Sequence, residues 1–150
     1  MRHPLFLPSI ALFLTCSSLA GASEMTRLGE LELHSVAVPT SELTAEAARE
    51  YNVTQEAGRG LLTVTLIKKG RNGKSESVPA QVYAGGFTQD NKIFSIPIRE
   101  IRQPDGVYYL GEYRFNAPDT IRFLVNANVL GKPMKVEFSR AFNATQTATN

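Results

Sequence analysis

Cysteine, tryptophan and histidine are scarce in this chain, whose 150 residues contain one cysteine, no tryptophan and two histidines. The cysteine is Cys16, close to the N-terminus, so the chain beyond it cannot form an internal disulfide and a core must stabilise it. The cysteine and tryptophan markers of true antibody domains are therefore missing. His34 is the only histidine after the N-terminal segment, and alone it makes neither a metal site nor a triad. We expect a solvent-facing or hydrogen-bonded structural role for it.

A strong excess of charge is also missing. The sequence has 16 basic and 14 acidic residues, which gives a formal net charge of +2. Losing the N-terminal segment, whose only lysine or arginine is Arg2, leaves a smaller positive charge still. Such a balance does not steer a protein toward nucleic acid or acidic lipid, and we predict neither as a partner.

The first 22 residues have the pattern of a secretory signal peptide. Arg2 precedes an apolar run over residues 5–14, and Ala20-Gly21-Ala22 is a small-x-small cleavage pattern before Ser23. We predict cleavage after Ala22, export to the periplasm, and no stable membrane insertion afterwards. The apolar run is shorter than the roughly 20 residues that span a bilayer.

Two alternatives for this segment stay open. One is an uncleaved membrane anchor. The other is a lipoprotein, because bacterial lipid attachment uses a cysteine at the signal-peptide junction. Phe13-Leu14-Thr15 lacks the small residue usual just before such a cysteine, which favours an inert Cys16.

Residues 92–115 are predicted to form a β-hairpin. Alternation places Phe94, Ile96 and Ile98 on one side of the first strand, and the turn sequence is QPDG, residues 103–106. The second strand has its own apolar side: Val107, Tyr109, Tyr113 and Phe115. Pro97 cannot donate a ladder hydrogen bond, which predicts an edge or bulged strand.

Further strands are predicted on both sides of this hairpin. A first one ends at Pro39, and others cover LLTVTLIKK and Pro79 to Tyr83. Asp119 to Val129 alternates Ile121, Phe123, Val125 and Ala127 against polar residues, and a last run has Met134, Val136 and Phe138 facing inward. One short helix is predicted, capped by Thr40 or Ser41, with Leu43, Ala47 and Tyr51 on one side.

About seven strands separated by turn residues predict a single antiparallel, immunoglobulin-like β-sandwich with one short helix; a small β-barrel is the alternative. The domain is predicted to cover residues 23–142. Residues 143–150, rich in threonine, alanine and asparagine, are predicted to form a flexible tail.

No motif in the sequence indicates catalysis, a metal or a cofactor. Glu30 with Glu32, and Glu46 with Glu50, have the spacing of ordinary solvated faces, and no serine stands in a GxSxG context. Copper carriers use clusters of methionine and histidine. Here Met25 is expected in a flexible start and Met134 in the core, so we predict no metal site, no cofactor and no enzymatic activity.

The richest polar and aromatic cluster surrounds the hairpin. Tyrosine and arginine anchor many protein interfaces, so we predict an interaction surface made of Arg99, Glu100, Arg102, Tyr108 and Arg114. The competing interpretation is that Tyr108 forms only a cross-strand pair with Arg99 or Glu100.

Six segments of the sequence carry a resemblance to a known family: LELHSVAV, TAEAAREYNV, GRGLLTVTLI, VPAQV, IPIREIRQPDGVYYLGEYRF and IRFLV. With these segments the chain resembles a family of small exported proteobacterial proteins, domain of unknown function 4426. They span nearly all of the chain after the signal peptide, in the same order, and GRNGKSES looks like a departure. The resemblance implies an envelope location and a compact single domain, and it implies no activity.

Three functions are compatible with these patterns. The first is a non-enzymatic periplasmic module that binds another envelope protein or assists assembly, through a sheet face or edge. The second is a carrier with a small-ligand pocket in the sandwich. The third, less favoured, is a carboxylate-based hydrolase.

Overall fold

The protein is an all-β sandwich, described for residues 22–144 by a computed structural model. Ten strands and one α-helix follow in chain order: β1 (Ala22–Leu28), β2 (Leu31–Pro39), α1 (Ala45–Glu50), β3 (Arg59–Lys69), β4 (Ser75–Ser77), β5 (Gln81–Phe87), β6 (Ile93–Ile96), β7 (Ile98–Gln103), β8 (Gly106–Arg114), β9 (Asp119–Val129) and β10 (Lys132–Phe142). A 3-10 turn, Thr40–Glu42, precedes α1.

The strands form two separate antiparallel sheets, which confirms the sandwich over the barrel. The larger sheet has the order β1-β2-β3-β8-β7, with β4 paired to β3. The smaller sheet has the order β10-β9-β5-β6. Each strand pairs antiparallel with its neighbours, so side chains alternate between an inner and an outer face along every strand.

The core lies between the inner faces of the two sheets. The predicted inward residues of β9 and β10 are buried there, as are Tyr109 and Tyr113. Other buried members of this core are Leu33, Leu62, Val64 and Leu66. The period-two patterns therefore identified most of the core correctly.

The chain between Phe94 and Ile98 differs from the single strand that its sequence predicts. β6 ends at Ile96 in the smaller sheet, and β7 begins at Ile98 in the larger one, so the chain crosses between sheets at Pro97. Both strands are sheet edges, which agrees with the edge position expected from a proline without an N–H. The turn after β7 is confirmed, since Gln103 and Gly106 are register partners.

Three strands account for the difference from the expected seven. The polar lead-in, including Met25, is β1 and pairs with β2 along its whole length, instead of forming a flexible start. The segment that departs from the family pattern contains β4. The third is the division at Pro97. β1 and β4 are strands because their backbones pair with a neighbouring strand, and composition does not encode that pairing.

The helix covers the outer face of the larger sheet. Its cap is Thr44, whose hydroxyl accepts from the Ala47 N–H at 3.1 Å; it is not Thr40 or Ser41. Thr40 is buried. Its hydroxyl donates to the backbone carbonyl of Glu56 and accepts from the backbone N–H of the same residue. A second small core forms beneath this segment from Val53, Leu61, Leu110, Val38, Leu43, Tyr51 and Ile101.

A buried arginine joins the smaller sheet to the segment before the helix. Arg140 donates to the Ala37 carbonyl at 2.6 Å and to both carboxylate oxygens of Glu42, at 3.2 and 3.1 Å. The contact connects β10 with the end of β2, at the side of the sandwich opposite Pro97. These bonds use both terminal nitrogens of the guanidinium, whereas its buried Nε has no hydrogen-bond partner among the described residues.

The turn between β9 and β10 holds a leucine in a backbone conformation that suits asparagine or glycine. Leu130 and Gly131 have φ of 52° and 78°, the signs of a type I′ turn, and Leu130 is 75% exposed. We expect Leu130→Asn to raise the free energy of unfolding by about 1 kcal/mol, because the left-handed region costs leucine more. Urea denaturation measures this, with Gly131→Ala as the destabilising control. Equal stability of Leu130→Asn and the parent would contradict the expectation.

Two predicted segments extend beyond the described residues. The signal peptide, including Cys16, lies outside them except for Ala22, and so does the tail from residue 145 onward. Within residues 22–144, no helix is long and apolar enough to cross a membrane.

Candidate functional site

The five residues predicted to form an interaction surface make separate contacts in the structure. Arg99 lies on the outer face of the larger sheet, where its guanidinium donates to the Tyr51 carbonyl at the end of α1. Gln103, also on β7, donates to Glu50 at 3.1 Å. The Arg99 guanidinium thus links the sheet to the end of the helix through this hydrogen bond.

The other members of the predicted surface are divided as well. Glu100 and Arg102 form an ion pair at 2.6 Å on the edge strand β7. The Tyr108 hydroxyl donates to Asp105 at 2.5 Å, and this hydrogen bond, with burial, raises the pKa of Tyr108 to about 12. Tyr108 therefore pairs with Asp105 rather than with Arg99 or Glu100. Of the five, only Arg114 lines an opening beside the end of β8.

That opening is a cleft between β6 and the C-terminal end of β8, called here the β6–β8 cleft. Its volume is about 860 Å³. It exists because β7 pairs with β8 only over residues 106–111, so the end of β8, residues 112–114, has no neighbour on that side within the described chain. β6 likewise pairs only with β5. Two free strand edges consequently flank one opening.

Aromatic side chains form the walls of the β6–β8 cleft. Phe94, Tyr113 and Phe115 line it. Phe115 stacks on Phe142, with ring centroids 4.1 Å apart, and Tyr113 meets Phe123 edge-on at 5.0 Å. Because the wall residues pack on core residues, the cleft has a preformed shape.

The rim of the cleft carries charges that are paired with one another. Arg59 contacts Glu112 and Glu56, each at 3.0 Å, and Lys92 contacts Asp90 at 2.7 Å. The hydrogen bond from Lys92 lowers the pKa of the Asp90 carboxyl. Arg114 lies 3.6 Å from Glu56. The rim is polar but presents no strong field of either sign.

Tyr113 brings an aromatic ring to the cleft without an acid or base function. Its hydroxyl is buried and has no hydrogen-bond partner among the described residues. Burial raises the pKa of Tyr113, so the phenol stays protonated. The Tyr113 ring contributes to the shape of the cleft wall.

The carboxylates near the cleft act as acceptors for fixed donors. Asp119 accepts from the backbone N–H of Gln89 at 3.2 Å and of Thr120 at 2.7 Å. Glu112 and Asp90 are in the ion pairs described above. In residues 22–144, no group of three or more histidine, cysteine, aspartate or glutamate side chains is placed to hold a metal ion.

Glu32 and His34 form a second polar cluster, on the outer face of the larger sheet. His34 is hydrogen-bonded, as expected, with its Nε2 3.0 Å from a Glu32 carboxylate oxygen. Glu32, in contrast, is buried instead of lying on a solvated face. Arg27 and Lys69 surround it, and a strand position alone did not show that long basic side chains would cover it.

The sequence predicts the strands that form the β6–β8 cleft but not the cleft itself. Pro97 is visible in the sequence as a break in the strand pattern. A signal for the crossing was therefore present. The length over which β7 and β8 pair depends on where the chain changes sheets, and no local pattern specifies that.

A family model described as a domain of unknown function, DUF4426, matches residues 25–144. No curated protein matches the chain at a significant level. Among solved structures, a DUF4426 family protein from Pseudomonas aeruginosa PAO1 is similar, with 18% identity, a TM-score of 0.67, and coverage of 83% of this chain and 97% of that one.

A second similar structure is FetP from uropathogenic Escherichia coli strain F11, expressed in the periplasm of E. coli. It has 13% identity and a TM-score of 0.58, and covers 82% of this chain and 95% of its own. A copper-bound variant of FetP is similar to the same degree, at 14% identity and a TM-score of 0.58, with 81% and 95% covered. At these identities the likeness shows a shared fold. The family match covers most of the chain, and the chain belongs to the DUF4426 family.

Proposed function

We propose that this protein is an exported, non-enzymatic periplasmic module that binds an extended segment of another envelope protein in its β6–β8 cleft. The observation that carries the proposal is the pair of free strand edges flanking one aromatic-walled opening. An extended peptide can add to a free edge through main-chain hydrogen bonds. Its alternate side chains then point toward the wall.

The periplasmic location is supported by two observations. The first 22 residues have the charge, apolar run and small-residue pattern of a signal peptide. FetP, which shares the fold, was expressed in the periplasm. A partner in the cell envelope follows from that location.

The cleft chemistry favours a peptide segment over a charged small molecule. Its rim cations are all paired with carboxylates, so an anionic ligand would have to displace existing ion pairs. The main-chain groups of a peptide can bind a strand edge without displacing these ion pairs. The aromatic walls provide contact area for one or two apolar side chains.

A small-ligand carrier is the second candidate, supported by one observation. The volume of about 860 Å³ falls within the range of ligand pockets, roughly 300–1,000 Å³. An apolar molecule could rest on Phe94 and Phe115 in the same opening. Both candidates use the same cleft, and the experiment below separates them.

Site-specific photo-cross-linking tests the proposal. A photoreactive residue replaces Ser95 on β6, which lines the cleft, and a matched probe replaces Ser139 on β10. Both serines are exposed and belong to edge strands of the smaller sheet. We expect the Ser95 probe, activated in the native host, to capture one envelope protein that the Ser139 probe does not.

The segment of the captured protein that contacts the cleft is then identified. Mass spectrometry identifies the cross-linked peptide, and a synthetic copy should bind the purified protein and block cross-linking at Ser95. Identical products from both probes would refute the cleft as the binding site. Failure of the synthetic peptide to bind, with a small molecule extracted from the purified protein, would replace the module with the carrier.

A further inference from the structure

We propose that the outer face of the larger sheet holds a binding site for a soft monovalent metal ion, Cu(I) or Ag(I), between Met25 and His34. These residues are direct partners in the β1–β2 hairpin. Side chains directly opposite in an antiparallel pair share one face, with Cβ atoms roughly 4.5–5.5 Å apart. The thioether and the imidazole are therefore neighbours.

Both donors are accessible on that face. Met25 is 43% exposed and the His34 side chain 39% exposed. Most buried methionines fill core gaps, as Met134 does here at 5% exposure. Met25 makes no such contribution to the core between the sheets, so its sulfur is free to approach an ion from solvent.

Glu32 contacts one of the two nitrogens of the histidine ring. Its carboxylate oxygen lies 3.0 Å from His34 Nε2. Nδ1 is therefore the ring nitrogen that is not in contact with Glu32. A carboxylate on the far nitrogen is the usual arrangement for a metal-binding histidine.

The surrounding charges select the kind of ion. Arg27 pairs with Glu32, and the Lys69 ammonium lies 3.8 Å from its second oxygen. These two cations repel a divalent ion more strongly than a monovalent one. Glu32 already contacts Arg27, His34 and Lys69, so its carboxylate is not a free ligand. Sulfur and imidazole donors prefer soft ions, and hard ions such as Mg²⁺ or Ca²⁺ need oxygen ligands.

Titration with Ag(I), a redox-stable probe for Cu(I), tests the site. The full chain is used with Cys16→Ser in every sample, because a thiol would also bind the probe. NMR follows the Met25 methyl group and the His34 ring, and the buried Met134 methyl group is the internal control. We expect the Met25 and His34 signals to shift together with one affinity while Met134 stays unchanged.

Two variants decide whether these residues form the site. Met25→Leu and His34→Gln should each weaken the tightest Ag(I) binding at least tenfold, and far-ultraviolet circular dichroism should show that both remain folded. Unchanged affinity in either variant would overturn the proposal. A shift of His34 alone, or a stronger response to Zn²⁺ than to Ag(I), would identify an ordinary exposed imidazole instead.

Discussion

Phe123→Ala is expected to lower the free energy of unfolding by about 3–5 kcal/mol, the usual cost of removing a large aromatic side chain from a core. Phe123 on β9 is completely buried, with an exposed fraction of 0%. Its ring stacks on Phe138 at 5.2 Å and meets Tyr113 and Phe142 edge-on, at 5.0 and 6.5 Å. Alanine leaves a cavity between the sheets that the three neighbouring rings cannot fill without losing their own packing.

Urea denaturation followed by circular dichroism measures this cost. Leu124→Ala is the matched control, because Leu124 follows directly on the same strand and faces outward. It should cost much less, since its side chain is partly in water already. Similar losses for the two variants would show that the inner face of β9 does not carry the core.

The same substitution should weaken the cleft. Tyr113 rests on Phe123, and Phe115 rests on Phe142, so the wall of the cleft and the centre of the core are one aromatic cluster. At a temperature where the variant remains folded, the cleft peptide should bind less tightly. The core therefore supplies the rigidity that a preformed site needs.

Gly60→Ala has the second large expected effect. Gly60 on β3 is the register partner of Tyr113 on β8, and the tyrosine ring lies over its Cα. A Cβ at this position would stand 2.2 Å from Tyr113 Cζ and 2.5 Å from its hydroxyl oxygen. Because that ring is buried, it cannot swing into solvent. We expect a loss of about 3 kcal/mol, at the upper end of typical overpacking costs.

A double-mutant cycle isolates the contact between these two residues. Tyr113→Leu alone should destabilise through lost aromatic packing. In the Gly60→Ala, Tyr113→Leu double variant the added methyl group no longer meets the ring, so its combined cost should be well below the sum of the single costs. Additive costs would show that Gly60 is required for some other reason than space for Tyr113.

The alternating residues of β9 and β10 show how much the sequence specifies locally. Their inward and outward sides were predicted correctly because a strand with one buried face must alternate with period two. The β7–β8 turn was likewise predicted, since proline, aspartate and glycine fit its backbone. Family membership followed from ordered segments along the whole chain.

The candidate site could not be predicted in the same way. Arg99, Tyr108 and Arg114 are close in sequence, but Arg99 contacts the helix, Tyr108 contacts Asp105, and Arg114 lies at the cleft. Register and alternation place all three side chains on the outer side of the larger sheet, but at different points along it. Arg99 and Arg114 meet residues far away in the chain, Tyr51 and Glu56.

The sequence by itself determined the all-β class, the strand faces and the family, because alternation, turn chemistry and composition act over a few neighbouring residues. Only the tertiary structure decided that the chain changes sheets at Pro97, that two free edges meet at the β6–β8 cleft, and that Met25 stands beside His34. Those features depend on which strands pair and over what length, and pairing is settled by the burial of both sheets together.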